Sequence, residues 1–182
     1  YRDDFWIKGS KRADFQMPRR MTENVCGSAG NGWPESPFKM IGPKQVGKGG
    51  LAGMRMINDL RKHLQKKVAF WPFDSVEKYN NAQIVITEIY PRFFIRHVGM
   101  GATKLRDVSS LNQAFKKLNS NALKNIIVSD HETDALVAAA GLRHFAKNNK
   151  NIADIQGLSD TLRATLQCEG WIFGVPIPVS YI

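Results

Sequence analysis

Two kinds of hydrophobic pattern occur along the chain, one typical of helices and one typical of strands. The longest patterned segments have helical spacing. Between Leu51 and Gln65, apolar residues recur every three or four positions, as on one face of an α-helix. These residues are Leu51, Met54, Ile57, Leu60 and Leu64. The opposite positions are mostly basic, so the pattern predicts a surface helix with a basic outer side.

A second long helix is predicted from Asp130 to Lys147, with Ser129 or Asp130 as its N-cap. Its run of small residues, at positions 138–141, would let it lie close against a sheet. Shorter helices are predicted near residues 109–118 and 159–167.

Short apolar runs rich in β-branched and aromatic residues predict strands between these helices. They are Val68–Phe73, Gln83–Tyr90 and Glu169–Val175. The second is apolar on both faces until Glu88, which is typical of a strand in a covered sheet. Helices that alternate with buried strands indicate an α/β fold. Residues 1–46 are rich in proline and glycine, so we expect a loop-rich basic extension or insertion there and a domain over residues 47–182.

Positive charge is concentrated in the first third of the chain. Residues 1–67 hold 14 Lys and Arg against 6 Asp and Glu, whereas residues 68–182 hold 12 against 10. The net charge of +10 favours a polyanionic partner, most simply DNA or RNA, although lysines that are merely solvated give the same count. The expected contacts are Lys48, Arg61, Lys62, Lys66 and Lys67.

Cysteine and hydropathy set the expected compartment. The two cysteines stand far apart with no metal-binding spacing around either, so neither a disulfide framework nor a zinc site is expected. The longest stretch without charge, Gly170–Ile182, contains two prolines and is too short to span a bilayer. We therefore expect a cytoplasmic protein with no membrane partner.

Carboxylates near a strand end and a helix start form the candidate chemistry. Glu88 lies near the carboxyl end of a strand, where sites in α/β proteins collect. Asp130, His131 and Asp134 occupy neighbouring positions on one helical face. If that helix packs near the strand end, these groups converge. Carboxylate oxygens with one imidazole suit Mg²⁺ or Mn²⁺, which could support phosphodiester hydrolysis.

Each of these acids also has a structural interpretation. Asp130 and Glu132 lie in a first helical turn, where acids complement the helix dipole. Glu88 could form an ion pair with Arg92 or Arg96. Asp134 is surrounded by apolar residues, and a buried acid is costly unless it is paired, so a functional role is expected there.

Several motifs in order resemble a family of predicted nucleases with a ribonuclease H-like fold, a domain of unknown function. They are RRMTE, GPKQVGKGGLAGMRMINDL, WPFD, EIYPR, VSDHETDALVAAAGLRHFA and EGWIFGV. The piece HETDALVAAAG is also similar to the final helix of Holliday-junction resolvases. The resemblance implies a mixed sheet flanked by helices, with Asp134 as a metal ligand and His131 as its companion.

The resemblance also implies an earlier part of the site. Such nucleases take their first metal-binding Asp from an early strand, and no strand ending in Asp precedes Leu51. We therefore expect the chain to hold the second half of such a domain, with its first strands upstream of Tyr1, or else a degenerate site.

A glycine-rich motif offers a different function. The segment from Gly42 to Lys48 matches GxxxxGK and precedes a helix, as in a phosphate-binding loop. Position 49 is Gly rather than the Ser or Thr that holds Mg²⁺. The sequence thus favours a metal-dependent nuclease, a hydrolase with the candidate ligands above. The alternatives are a non-catalytic nucleic-acid-binding protein of the same fold, a P-loop nucleotide hydrolase and a small structural subunit.

Overall fold

Two short parallel strands and seven α-helices make up the described part of the chain. The computed structural model describes residues 17–43, 45–101, 105–124, 129–147 and 155–178. The helices are Met21–Ser28 (α1), Val46–Leu64 (α2), Val76–Asn81 (α3), Pro91–His97 (α4), Val108–Lys117 (α5), Asp130–Lys147 (α6) and Asp160–Glu169 (α7). The strands are Val68–Phe70 (β1) and Ile84–Ile86 (β2), and short 3₁₀ helices span Gln65–Lys67 and Ile155–Gly157. This is the mixed α/β class that the pattern predicted.

The two strands run parallel and are joined by α3. Val68, Ala69 and Phe70 lie opposite Ile84, Val85 and Ile86. Beyond β2, Glu88 forms a parallel bridge with Ile172, and the backbone N–H of Phe173 donates to the Glu88 carbonyl over 2.9 Å. Since parallel strands share a direction, the turn after β1 and Glu88 lie at the same edge of the sheet.

An aromatic cluster between α4 and α6 forms the centre of the core. Phe93 and Phe94 of α4 both contact the ring of Phe145 on α6, with centroids 5.7 and 5.6 Å apart. The two helices approach closely because α6 presents Gly141 to α4. A Cβ at this glycine would lie 2.2 Å from Phe94 Cγ. The small residues of α6 therefore allow it to pack closely against helix α4.

The long helices are where the periodicity placed them. Helix α6 has the predicted bounds, and Ser159 caps α7 by accepting a hydrogen bond from the Leu162 N–H. Helix α2 is longer than predicted and begins at Val46. Helix α5 is capped by Asp107 rather than by a serine.

The predicted strands were too long, and burial was predicted correctly for β1 but wrongly for β2. β2 is three residues long, and Ile84 and Val85 are 47% and 39% exposed, because α2 and α3 pack against β1. The predicted strand Glu169–Val175 is reduced to one bridge at Ile172, since Gly170 and Gly174 adopt positive φ angles that interrupt an extended strand.

One short segment of the region expected to be rich in loops is helical and contributes to the core. Met21–Ser28 is helical, and its buried side chains are those of Thr22, Glu23 and Cys26. The backbone N–H of Ile172 donates to Thr22 Oγ1 over 3.0 Å in the interior. This helix therefore packs as part of the same unit as the segment after α7.

Candidate nucleic-acid interface and carboxylate groups

Helix α2 projects from the fold with nearly all of its surface in solvent. Residues 48–52 and 54–59 are all exposed, and Gly47 alone is buried within the helix. Leu60 and Leu64 are half-buried near the end that packs against β1. The helix is thus anchored at its two ends and open along its middle.

Cations dominate this exposed helix and the turn after it. They are Lys48, Arg55, Arg61, Lys62, Lys66 and Lys67, here called the basic surface. All six are exposed, and Asp59 is the acid that lies among them. Within the described residues, Arg61 alone of the six is in an ion pair, with Asp74 Oδ2 at 3.5 Å. The basic surface is therefore an uncompensated patch of positive charge.

The apolar residues of α2 are in solvent as well, which corrects the prediction that they face inward. Leu51, Met54 and Ile57 are 47%, 60% and 38% exposed. The amphipathic pattern is present, but the described residues leave the apolar side uncovered along the middle of the helix. The periodicity correctly indicates a helix without indicating what covers its apolar side.

The second glycine of the glycine-rich motif lies in the first turn of α2 and has a packing role. Gly47 donates its backbone N–H to the Lys39 carbonyl over 3.0 Å. A Cβ at Gly47 would lie 2.5 Å from the Pro37 carbonyl oxygen and 2.7 Å from Met40 Sδ. Close approach of two backbone segments therefore explains this glycine without a bound phosphate. Lys48 lies in the first turn of α2 and points to solvent.

Glu88 at the carboxyl end of the sheet is held by an arginine. Arg20 Nη2 donates to Glu88 Oε1 over 2.6 Å, and Arg20 Nη1 donates to Glu88 Oε2 over 2.8 Å. An ion pair was one interpretation of Glu88, but its partner lies 68 positions upstream rather than at Arg92 or Arg96. Both carboxylate oxygens are engaged by this bidentate contact.

Arg20 also joins two further acids, and the four residues are here called the Arg20 cluster. Its Nε donates to Glu23 Oε1 over 2.8 Å, and its Nη1 donates to the Glu169 carbonyl over 2.9 Å. The Met21 N–H donates to Glu169 Oε2 over 2.7 Å. One guanidinium thus connects α1, the end of the sheet and the end of α7.

Burial and charge act in opposite directions on the Arg20 cluster. Burial raises the pKa of the Glu23 carboxyl, and the hydrogen bond and charge of Arg20 counteract only part of that rise. Burial would lower the pKa of Arg20, but its hydrogen bonds to Glu88 and Glu23 raise it above its ordinary value. The guanidinium therefore remains charged. Arg20 stands three positions before Glu23 in the motif RRMTE, and this spacing is the one local signal of the cluster in the sequence.

The acids at the start of α6 support the helix itself. Ser129 Oγ accepts from the Glu132 N–H over 3.2 Å and donates to Glu132 Oε2 over 2.9 Å. Asp130 Oδ1 lies 3.4 Å from Arg106 Nε. These contacts match the structural interpretation of Asp130 and Glu132.

Asp134 and His131 are both exposed, so the expectation that Asp134 is buried was wrong. The buried side of α6 is formed by Thr133, Val137 and the residues that follow at helical spacing. Asp134 is one position beyond Thr133 and points to solvent. Its exposure removes the cost of burial as an argument for a functional role, and it leaves the carboxylate accessible.

The predicted metal ligands do not form a complete metal site in the part of the chain that is described. No three His, Cys, Asp or Glu side chains there come together in a way that could hold a metal ion. Glu88 is already bound by Arg20. The described residues therefore do not fit a two-metal centre.

Comparison with known proteins does not assign the chain to a family. No protein-family model, curated protein or solved structure matches it. Among the described helices, none combines the length and apolar composition needed to cross a membrane. Function is therefore inferred from the side chains of the chain itself.

Proposed function

We propose that this chain binds nucleic acid, DNA or RNA, through the basic surface of α2. The observation that supports this proposal is the concentration of six exposed cations against one acid on a solvent-exposed helix and the turn after it. Lysine and arginine at such a surface bind phosphates and release the counterions condensed on them. A binding role needs no further group, whereas metal-dependent catalysis needs a set of ligands that the described residues do not bring together.

The dimensions of α2 suit a phosphate backbone. From Lys48 to Lys62 the helix rises by about 20 Å at 1.5 Å per residue. A nucleic-acid strand carries one charge about every 3.4 Å along a duplex axis, so this length spans about six phosphates. Lys66 and Lys67 extend the same positive region beyond the helix.

The test compares two variants with the same net charge. In the first, Lys62, Lys66 and Lys67 are replaced by Gln. Arg61 is left in place because its guanidinium packs 4.8 Å from the Phe70 ring centroid. The control replaces three exposed lysines of α5, α6 and the segment between them with Gln, namely Lys116, Lys124 and Lys147.

Fluorescence anisotropy with a labelled mixed-sequence oligonucleotide measures the affinity of each variant. The first variant is expected to lose affinity by about tenfold or more near physiological salt, because three phosphate contacts are removed. The control is expected to retain most of its affinity. Equal losses in the two variants would show that only net charge matters and would contradict a site on α2.

Metal-dependent phosphodiester hydrolysis is a second candidate, and the accessible carboxylate of Asp134 favours it. Here we propose that residues 47–182 are the second half of a ribonuclease H-like domain, as the sequence resemblance implies. Mg²⁺ or Mn²⁺ at Asp134 would need donors from beyond the described residues. Cleavage of an oligonucleotide with either ion, compared between the native chain and Asp134→Asn, tests this candidate. Equal cleavage by both would refute a role for Asp134.

A further inference from the structure

The turn after β1 fixes an aromatic side chain at the edge of the sheet. The backbone N–H groups of Phe73 and Asp74 both donate to the Phe70 carbonyl, over 2.9 and 3.0 Å. In return, the Phe70 N–H donates to Asp74 Oδ2 over 2.8 Å. Three hydrogen bonds within five residues leave the backbone of Phe73 little freedom. Its side chain is therefore placed by the fold before any ligand arrives.

The ring of Phe73 is half in solvent. It is 47% exposed, whereas Trp71 in the same turn is 3% exposed. The tip of the ring lies close to Gly170, where an added Cβ would lie 3.1 Å from Phe73 Cζ and 3.7 Å from Phe73 Cε2. Gly170 has a φ of +73°, which favours glycine and keeps a side chain away from the ring tip. This half-exposed ring, here called the platform, leaves aromatic surface on which a planar group can stack.

Cations of α2 and α3 adjoin this platform. Asp74, the next residue, accepts from Lys78 Nζ over 3.0 Å and lies 3.5 Å from Arg61 Nη2. Arg61 belongs to the basic surface, so the turn and the end of α2 are in direct contact. A chain of phosphates that follows α2 to Arg61 would therefore arrive at the turn that carries Phe73.

The position of the platform within the fold is also typical of a binding site. β1 and β2 are parallel, and Phe73 follows the carboxyl end of β1 while Glu88 follows the carboxyl end of β2. Ligands of open α/β sheets bind outside the carboxyl ends of the strands. Phe73 is thus an exposed aromatic residue at the edge where a ligand is expected.

We propose that the nucleic acid bound by this chain is single-stranded and that one of its bases stacks on Phe73. This inference rests on the proposed nucleic-acid binding by α2 and names the class of ligand. In a duplex, both faces of each base are covered by neighbouring bases, so a protein ring cannot stack on them. A single strand exposes these faces, and stacking on an aromatic side chain tolerates any base.

The test measures affinity for a single-stranded oligonucleotide and for the duplex of the same sequence. Phe73→Leu keeps an apolar side chain but removes the ring, and Phe73→Tyr keeps the ring. The Leu variant is expected to bind the single strand about tenfold more weakly, as for loss of one stacked base. The Tyr variant is expected to restore binding, and the affinity for the duplex is expected to be retained in both.

Two results would overturn the stacking inference while leaving the proposed function intact. One is an unchanged single-strand affinity in Phe73→Leu while the Lys62, Lys66 and Lys67 variant still binds weakly. The other is an equal loss for single strand and duplex in Phe73→Leu, which would show general damage to the surface. If the lysine variant also binds normally, the proposed function itself fails.

Discussion

Replacing Arg20 with Met tests the cluster that joins three parts of the fold. Methionine has a similar length but no charge and no hydrogen-bond donors. The substitution would leave Glu23, whose side chain is 1% exposed, without its cation and its hydrogen bonds. It would also release Glu88 and the end of α7 at Glu169. We expect the folded state to lose stability although no large side chain is removed from the core.

The size of the loss follows from the burial of the two partners. Removing one member of a buried ion pair costs about 3–5 kcal/mol of unfolding free energy. Arg20 is 16% exposed and Glu88 is 43% exposed, so the contact with Glu88 adds little. We therefore expect a loss of about 3 kcal/mol. For a chain of 182 residues this lowers the Tm by about 6–12 °C.

The loss of stability caused by Arg20→Met should depend on pH. Burial raises the pKa of Glu23 above its ordinary value of 4.5, and Arg20 limits that rise. Glu23 therefore binds its proton more tightly in the folded state than in the unfolded state. The free energy of unfolding then falls as the pH rises from the unfolded pKa of Glu23 to its folded pKa. Without Arg20 the folded pKa rises further. The difference in Tm between Arg20→Met and the native chain should therefore shrink as pH falls.

Thermal melting by circular dichroism, near neutral pH and at about pH 5, measures this difference. Arg20→Lys should melt between the native chain and Arg20→Met, because lysine keeps the charge but loses the fork-shaped set of donors. Arg55→Met serves as the control, since Arg55 is an exposed arginine of α2. A native-like Tm for Arg20→Met, or a deficit that is the same at both pH values, would refute the reasoning.

Three smaller perturbations follow from local geometry. Gly47→Ala should destabilise the fold because its Cβ would lie 2.5 Å from the Pro37 carbonyl oxygen. Gly53→Ala places its Cβ in open space and should stabilise α2 by about 0.5–1 kcal/mol. Thermal melting measures both effects. Burial raises the pKa of the Cys26 thiol to about 11, so iodoacetamide should alkylate the exposed Cys168 first. Mass spectrometry measures the labelling of each cysteine, and faster labelling of Cys26 would contradict its burial. Asp134→Asn should leave the Tm within about 1 °C because Asp134 is exposed, and a clear loss would indicate a structural contact.

Local sequence patterns predicted the long helices well because their periodicity extends over several turns. The bounds of α6 were predicted, but α4, which begins at Pro91 directly after the predicted strand Gln83–Tyr90, was missed. Proline is equally suited to the first turn of a helix, where its missing N–H costs nothing. Helix α1 was missed because it is short and its buried side includes polar Thr22 and Glu23.

The candidate site was harder to predict because its contacts join distant positions. Arg20 and Glu88 are 68 residues apart, and no periodic pattern relates them. Asp134 lies in a helix rich in alanine, where small residues occupy both the buried and the exposed side. The contrast between the two faces is therefore weak, and the burial of Asp134 was misjudged. The charge of α2 was predictable because charge is read directly from composition.

The salt dependence of affinity is the most direct test of nucleic-acid binding by the basic surface. The logarithm of the binding constant is measured against the logarithm of salt concentration for the native chain and for the variant with Lys62, Lys66 and Lys67 replaced by Gln. Each phosphate contact contributes about 0.9 to the slope on duplex DNA and about 0.7 on a single strand. Binding by α2 predicts a steep native slope that becomes shallower by about 2–3 in the variant. Identical slopes, or an affinity that ignores salt, would contradict it.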